Sequence, residues 1–258
     1  MLDENLEVIQ VPAFSDNYIY VIRDLISGQV GTIDPGAAEP VIKILDEKSW
    51  KLDFIFNTHH HPDHVGGNLT LKDRYDCKII GHGADQQRIP GIDLKVSDGE
   101  SFAFGSMEVN VIGTTGHTKG HIVYWFAQNN VLFCGDTLFS MGCGRLFEGT
   151  PAQMWESLTK IKQLPDNTKV YCAHEYTEAN GVFALTMDPQ NENLVRYMAK
   201  VKRLRSEGLM TIPSNLGLEK KVNPFLRADD LHIRQNLQMI EATDEEVFAE
   251  IRRRKDSF

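Results

Sequence analysis

Residues 58–67 read THHHPDHVGG and crowd four histidines and an aspartate together. A packed core tolerates such groups only with partners, because an unpartnered buried polar group costs about 2–7 kcal/mol on transfer scales. Something is therefore expected to bind them. On a partly extended backbone His59 and His61 point to one side at period two and could hold one metal. Asp63 and His64 follow a turn at Pro62 and could hold a second. Gly66 and Gly67 read as a sharp turn before a helix. His60, between the first two, is expected to point away.

More donors sit at the ends of predicted strands: His117 in Thr115-Gly116-His117-Thr118, Asp136 in Gly135-Asp136-Thr137, and His174 in Ala173-His174-Glu175. The set is five imidazoles and two carboxylates, with no thiolate. Such donors suit zinc, iron or manganese and do not select among them. Structural zinc sites are usually closed and cysteine-rich, so seven donors for two metals argue for open coordination positions and catalysis. Lone histidines such as His82 and His232 read as structural or surface groups.

Two metals about 3.5–4 Å apart can share a hydroxide made available at neutral pH, and one can polarise a carbonyl. The resulting oxyanion needs a positive charge nearby. A thiol leaving group, with a pKa near 8.5, departs without a separate general acid. The sequence offers no obvious acid beyond the ligands, which fits a thioester better than an amide. Asp34, in Ile33-Asp34-Pro35-Gly36, is a candidate to orient a ligating imidazole; the alternative is a turn aspartate bonding its own backbone. His121 is either a second such group or a satisfied histidine at a strand start.

These groups need a scaffold. Strands are predicted over 6–11, 17–22, 29–33, 54–56, 78–80, 108–112, 122–126, 131–134 and 169–172. Helices are predicted over 40–48 and 151–163, the latter with Pro151 at its first turn. Beyond His174 strands become scarce, and helices are expected at 192–207, 230–240 and 244–254. This reads as a mixed α/β domain followed by a smaller helical one. The net charge of −9 argues against a nucleic-acid or membrane-surface binder. The cysteines, Cys77, Cys134, Cys143 and Cys172, form no C-x-x-C pair and suggest neither a thiolate zinc site nor a disulfide scaffold. No apolar run approaches the roughly 20 residues that span a membrane. The acidic start is unlike a signal peptide, so the cytoplasm is expected.

The chain resembles the metallo-β-lactamase superfamily and, within it, the glyoxalase II family of hydroxyacylglutathione hydrolases. The first motif, Thr58-His59-His60-His61-Pro62-Asp63-His64, marks the superfamily. Gly116-His117-Thr118, Gly120-His121, Gly135-Asp136-Thr137-Leu138-Phe139, Gly142-Cys143-Gly144-Arg145, His174-Glu175-Tyr176-Thr177, Asn223-Pro224-Phe225-Leu226-Arg227 and Arg254-Lys255-Asp256 narrow it. The resemblance implies an αββα sandwich over 1–174 and a C-terminal α-helical, glutathione-binding domain over 175–258. His59, His61 and His117 would bind the first metal, Asp63, His64 and His174 the second, and Asp136 would bridge them. Asp63 and Asp136 count among the catalytic groups. The metals would be zinc, with iron or manganese as alternatives.

By the same resemblance the reaction is hydrolysis of S-D-lactoylglutathione to D-lactate and glutathione, the second step of methylglyoxal detoxification. Arg145, Tyr176, Arg252 and Lys255 would contact the tripeptide, the last two near its glycine carboxylate. Cations at a helix C-terminus are the plainer account of Arg252 and Lys255. Phe147 stands where some family members carry a tyrosine, so one hydroxyl contact is missing. A small-molecule substrate and a monomer are expected, with no nucleic acid and no membrane partner. The related persulfide dioxygenase, with a single iron, is the main alternative, and the helical tail counts against it. A nuclease and a non-catalytic metal-binding module complete the alternatives.

Overall fold

The β-branched runs of the first half become the strands of a sandwich. A computed structural model describes residues 5–258. The chain divides into two units, one of residues up to Gly113 with Lys119–Gly135, the other of Thr114–Thr118 with Asp136–Phe258.

The first unit runs β1 (Leu6–Ala13), β2 (Asn17–Asp24), β3 (Val30–Ile33), α1 (Ala38–Lys48), β4 (Phe54–Phe56), α2 (Pro62–Val65), α3 (Asn68–Tyr75), β5 (Lys78–His82), β6 (Leu94–Val96), β7 (Ser101–Phe104), β8 (Met107–Gly113), β9 (Ile122–Phe126) and β10 (Val131–Gly135). One sheet has the order β1 to β6, antiparallel up to β3 and parallel from β3 onward. The other carries β10-β9-β8-β7, all antiparallel.

Alternation along β2 shows how the layers form. Ile19 and Val21 join Val41 and Leu45 of α1, Ile55 of β4 and Leu71 of α3 in one apolar cluster. Tyr20 faces the other way, its ring 5.3 Å from Phe133 of β10. Phe56 likewise stands 5.5 Å from both Phe104 and Tyr124 of the second sheet. Each such fully buried side chain contributes about 1.5–3 kcal/mol. Asp24 ties the two sheets at their edge by accepting from the Ser106 amide and hydroxyl, at 2.6 and 3.0 Å. Burial alone would raise its carboxyl, but the donors from Ser27, Ser106 and Ile26 hold it down at about 2.

One expectation had the right residues and the wrong reason. Gly66 and Gly67 adopt ordinary right-handed torsions, φ −60° and −83°. What they supply is room. A Cβ would lie 2.5 Å from the Gly36 carbonyl oxygen at Gly66, and 2.6 Å from that of Pro35 at Gly67.

The second unit holds the hairpin β11 (Leu138–Phe139) and β12 (Gly142–Cys143), then α4 (Pro151–Lys162), β13 (Lys169–Cys172), α5 (Thr177–Met187), α6 (Glu192–Ser206), β14 (Ser214–Asn215), α7 (Leu216–Val222), α8 (Leu231–Leu237) and α9 (Asp244–Asp256). Capping boxes at Thr150/Gln153 and Thr243/Glu246 start α4 and α9. Met141, Ala184, Leu194, Tyr197, Met198, Val201 and Val222 form one core. Phe248 of α9 packs 5.9 Å from both Trp155 and Phe225. The helix predicted over 230–240 stops at Leu237, because Gln238 turns left-handed at φ 59° and closes onto the Arg234 and Gln235 carbonyls. Among the described residues no helix is long and apolar enough to cross a membrane.

Candidate functional site

Parallel pairing of β3 with β4 brings the residues that leave those two strands to the same sheet end. Asp34, leaving β3, donates its amide to the Phe56 carbonyl at 2.9 Å. Its carboxylate accepts from the Thr58 amide at 2.7 Å and the Thr58 hydroxyl at 2.6 Å. The same carboxylate lies 3.1 Å from His64 Nδ1. The Asp34 carboxylate therefore bonds Thr58 and faces His64, and is not that of a turn aspartate bonding only its own backbone.

These contacts fix ring protons. The Thr58 hydroxyl has one proton and gives it to Asp34, so its oxygen accepts from His59 Nδ1, 3.1 Å away. His64 Nδ1 faces the same Asp34 oxygen at 3.1 Å. The His59 ring then offers Nε2 as a bare donor. His59 Nε2 lies 3.0 Å from His61 Nδ1, a separation that requires a proton or a cation between two ring nitrogens. Asp63 is steadied by Asn17, whose amide donates at 3.0 Å, and stands 3.5 Å from His64 Nε2. Two ligands of one tetrahedral ion with bonds of about 2.0–2.1 Å stand about 3.3 Å apart, so these spacings fit a shared ion.

The neighbours of the cluster follow the same logic. His60 turns away as expected, 3.2 Å from Asp85, with Arg88 against its other nitrogen. His121 lies flat against His59, the rings 4.8 Å apart and 23° from parallel. Gly135 is the one residue type that fits at its position. Its φ is 48°, and a Cβ would meet Thr58 Oγ1 at 2.3 Å and His121 Nε2 at 2.9 Å.

The second unit carries His117, Asp136 and His174. Asp136 stands 3.4 Å from His117 Nε2 with one oxygen and 3.4 Å from His174 Nε2 with the other. These are again spacings of ligands around common ions. His117 Nδ1 donates to the Arg145 carbonyl at 2.8 Å, which leaves Nε2 for the carboxylate side. Gly144 makes this possible, since a Cβ there would lie 1.9 Å from the Asp136 carbonyl oxygen and 3.1 Å from His117 Nδ1.

His117 and Asp136 open into a cavity of about 510 Å³ whose lining also includes Phe139, Cys143, Arg145, Phe147, Tyr176, Arg252, Lys255 and Asp256. All four residues expected to hold the tripeptide are therefore in one cavity with two of the expected metal ligands. Tyr176 stacks on His174, ring centroids 4.8 Å apart and 3° from parallel. Phe147 sets its ring 5.2 Å from that of His117. Arg252 is only 5% exposed, and its guanidinium donates to the Cys143 carbonyl at 3.0 Å and to Asp256 at 2.6 Å. Lys255 lies over the rings of Phe183 and Phe258, at 5.4 and 5.3 Å. Burial, reinforced by the Arg252 and Arg145 charges, pushes its ammonium pKa below 10.5. Burial also pushes the Cys143 thiol up to about 11, against the opposing pull of Arg252.

Several contributors escaped the sequence reading. Thr58 stood inside the quoted motif but was given no role. Asn17 lies 46 residues from Asp63 and carries no motif. Asp256 was quoted in the terminal motif, four residues after Arg252, a spacing that signals a helical ion pair.

Comparison with known proteins agrees with this geometry. Residues 15–174 match the model described as metallo-beta-lactamase superfamily, and residues 175–258 match that of the hydroxyacylglutathione hydrolase C-terminus. The chain is 49% identical over 253 residues to a hydroxyacylglutathione hydrolase of Methylococcus capsulatus, covering 98% of this chain and 99% of the relative. It is 50% identical over 253 residues to that of Rhodospirillum rubrum, with the same coverage of 98% and 99%. Among solved structures, ETHE1 from Myxococcus xanthus aligns with a TM-score of 0.66 at 26% identity, covering 94% of this chain and 98% of that one. The B3 metallo-beta-lactamase BLEG-1 aligns with a TM-score of 0.66 at 23% identity over 86% of this chain and 100% of that one, a likeness of fold. The chain has the metallo-β-lactamase fold with a helical C-terminal region, and its imidazole and carboxylate clusters fit divalent metals. It belongs to the hydroxyacylglutathione hydrolase family of the metallo-β-lactamase superfamily.

Proposed function

We propose that the chain is a metal-dependent thioesterase that cleaves S-D-lactoylglutathione and related 2-hydroxyacylglutathiones to the hydroxy acid and glutathione, the second step of methylglyoxal detoxification. The observation that carries this reading is the single cavity shared by His117, Asp136, Arg145, Tyr176, Arg252 and Lys255. Family membership at about half identity over the whole chain supports it.

In this reading His59, His61 and His117 hold one metal, Asp63, His64 and His174 hold another, and Asp136 serves both. Zinc is the expected pair, with iron or manganese as the alternatives. When bound, the metals would acidify water and polarise the thioester carbonyl. The protein's own groups do the rest. Thr58, held by Asp34, keeps the His59 ring turned with Nε2 outward, and the Asp34 carboxylate stands beside His64. The Arg145 carbonyl does the same for His117. Tyr176 and Phe139 wall the cavity beside His174. The thiolate leaves unprotonated, so no side chain is required as general acid.

Glutathione brings two carboxylates and one ammonium. Arg145, Arg252 and Lys255 against Asp136 and Asp256 leave the cavity lining one positive charge ahead, a balance suited to that charge. Arg252 is held in place by Cys143 and Asp256, and Lys255 reaches the glycine carboxylate as a point charge. The catalytic domain spans 1–174 and the glutathione-binding domain 175–258. The chain acts as a cytoplasmic monomer on a small molecule, without nucleic acid or membrane.

The test is hydrolysis of a series of acyl-glutathiones by the purified protein, with elemental analysis for metal per chain. Two metals with lactoylglutathione turnover are expected. One iron with persulfide-dependent oxygen uptake would overturn the reading in favour of a dioxygenase. The acyl series also defines what the acyl end accepts.

A pH profile gives a further expectation. Lys255 is charged at neutral pH and loses its proton as pH rises through a value lower than 10.5. An anionic substrate then loses an attraction, so KM should rise on the alkaline side. Lys255→Met should raise KM at pH 7 and remove that alkaline limb. A variant profile parallel to that of the wild type would remove Lys255 from the carboxylate contact.

A further inference from the structure

The hairpin of β11 and β12 is the common support of the second unit's site. Asp136 lies just before it, Phe139 of β11 packs 5.9 Å from the His174 ring and 5.3 Å from Tyr176, and the Cys143 carbonyl of β12 holds Arg252. Its turn is Ser140-Met141, with Met141 at φ 55°. A left-handed backbone at a methionine persists only where the surroundings over-determine it.

Two side chains from one helix end do so. Glu219 of α7 is fully buried and accepts from the Met141 amide at 2.8 Å and the Ser140 hydroxyl at 2.8 Å. Asn223, at the C-terminal cap of α7, donates to the Phe139 carbonyl and to the Gly142 carbonyl, each at 3.0 Å, and to Glu219 at 3.2 Å. Its side-chain oxygen accepts from the Phe225 amide at 3.0 Å, so both ends of its amide group are engaged. The Tyr197 hydroxyl, 3.0 Å from Ser140, extends the network. A carboxylate stripped of water among neutral donors is a costly way to fill a core. An apolar side chain would fill the space and leave the Met141 amide and the turn unheld.

We infer that Glu219, together with Asn223, is a positioning residue for thioester hydrolysis: it locks the 139–142 turn and thereby sets Phe139 against His174 and Tyr176 at the cavity wall. The inference rests on the functional reading above and gives the asparagine of Asn223-Pro224-Phe225 a role. A Gln can keep the accepting oxygen toward Met141 and Asn223 and turn its amide to the Ser140 oxygen, so Glu219→Gln should conserve the lock. Glu219→Ala removes it.

The experiment measures KM and kcat for lactoylglutathione, metal content and thermal unfolding on the full chain. Glu219→Ala is expected to raise KM and lower kcat/KM by about 10- to 100-fold, the scale of a misplacement of about 1 Å, with metal content unchanged. Glu219→Gln should restore KM to near the wild-type value. Asn223→Ala, which frees two carbonyls of the turn, should raise KM in the same direction and decides the matter if Glu219→Ala does not fold. A role in folding alone would lower the active fraction and leave KM where it was. An active wild type with unchanged KM in both alanine variants overturns this inference and leaves the functional reading intact. A metal-loaded wild type without thioesterase activity overturns both.

Discussion

Replacing Asp136 by asparagine should lower thioester hydrolysis about 10²- to 10³-fold, the range seen when one group stabilising reaction charge is removed. Asp136 is 7% exposed, and each of its oxygens stands 3.4 Å from the Nε2 of a different histidine. A carboxylate can serve two cations at once through two equivalent acceptor oxygens. An amide presents one acceptor and one donor, and the donor faces a site that the proposal fills with cations. Asparagine matches the shape, so the fold should survive and the loss should be read in kcat and metal content together. Elemental analysis is expected to fall below two ions per chain. Near-normal turnover with both ions kept would remove Asp136 from the bridging role.

The second large effect is expected at Asp34. Asparagine tolerates the left-handed torsion found there, φ 49°, so Asp34→Asn isolates the chemistry from backbone strain. The wild-type carboxylate accepts from the Thr58 amide and the Thr58 hydroxyl and faces His64 Nδ1 at 3.1 Å. The variant must point an NH₂ at one of them. Either Thr58 reverses its hydroxyl and loses its hold on His59, or His64 faces an NH₂ in place of a carboxylate oxygen. Groups that orient a ligating imidazole typically account for 10- to 100-fold in metal affinity or activity. A loss of about that size is expected in zinc affinity by chelator competition, with partial rescue of turnover by excess zinc. Unchanged affinity would reduce Asp34 to a structural residue of the strand end.

Much of this was legible because it is local. The H-x-H-x-D-H spacing, the strand before it and the helix start at Pro151 all sit within short windows. The mixed α/β domain and the helical tail followed from periodicity, and the αββα class from the resemblance to the family. What escaped was non-local or aperiodic. Asn17 reaches Asp63 across 46 residues and Asp24 reaches Ser106 across 82, with nothing in the intervening chain to announce either. Helix α5, TEANGVFALTM, buries Thr177 and Asn180 on its inner face and exposes Ala179 and Val182 on the other, so polarity does not follow burial and no polar stripe marks it. Strands β11 and β12 have two residues each, too few for any alternation. Gly66 and Gly67 were noticed, but sequence alone does not tell a torsional need from a steric one. Arg252 was read from its charge, whereas its burial beside Cys143 and Asp256 makes it part of the wall as well.

The cysteine on that wall has a chemical consequence. Disulfide exchange requires a thiolate, and a thiol held at about 11 is ionised at neutral pH to only about one part in ten thousand. Cys77 and Cys172, pushed up by burial to about 11 and about 12, are at least as unreactive. On the proposed reaction the protein releases a reactive sulfur compound against its own sulfur with every turnover. Held protonated, Cys143 is a poor nucleophile toward any disulfide that enters the same cavity.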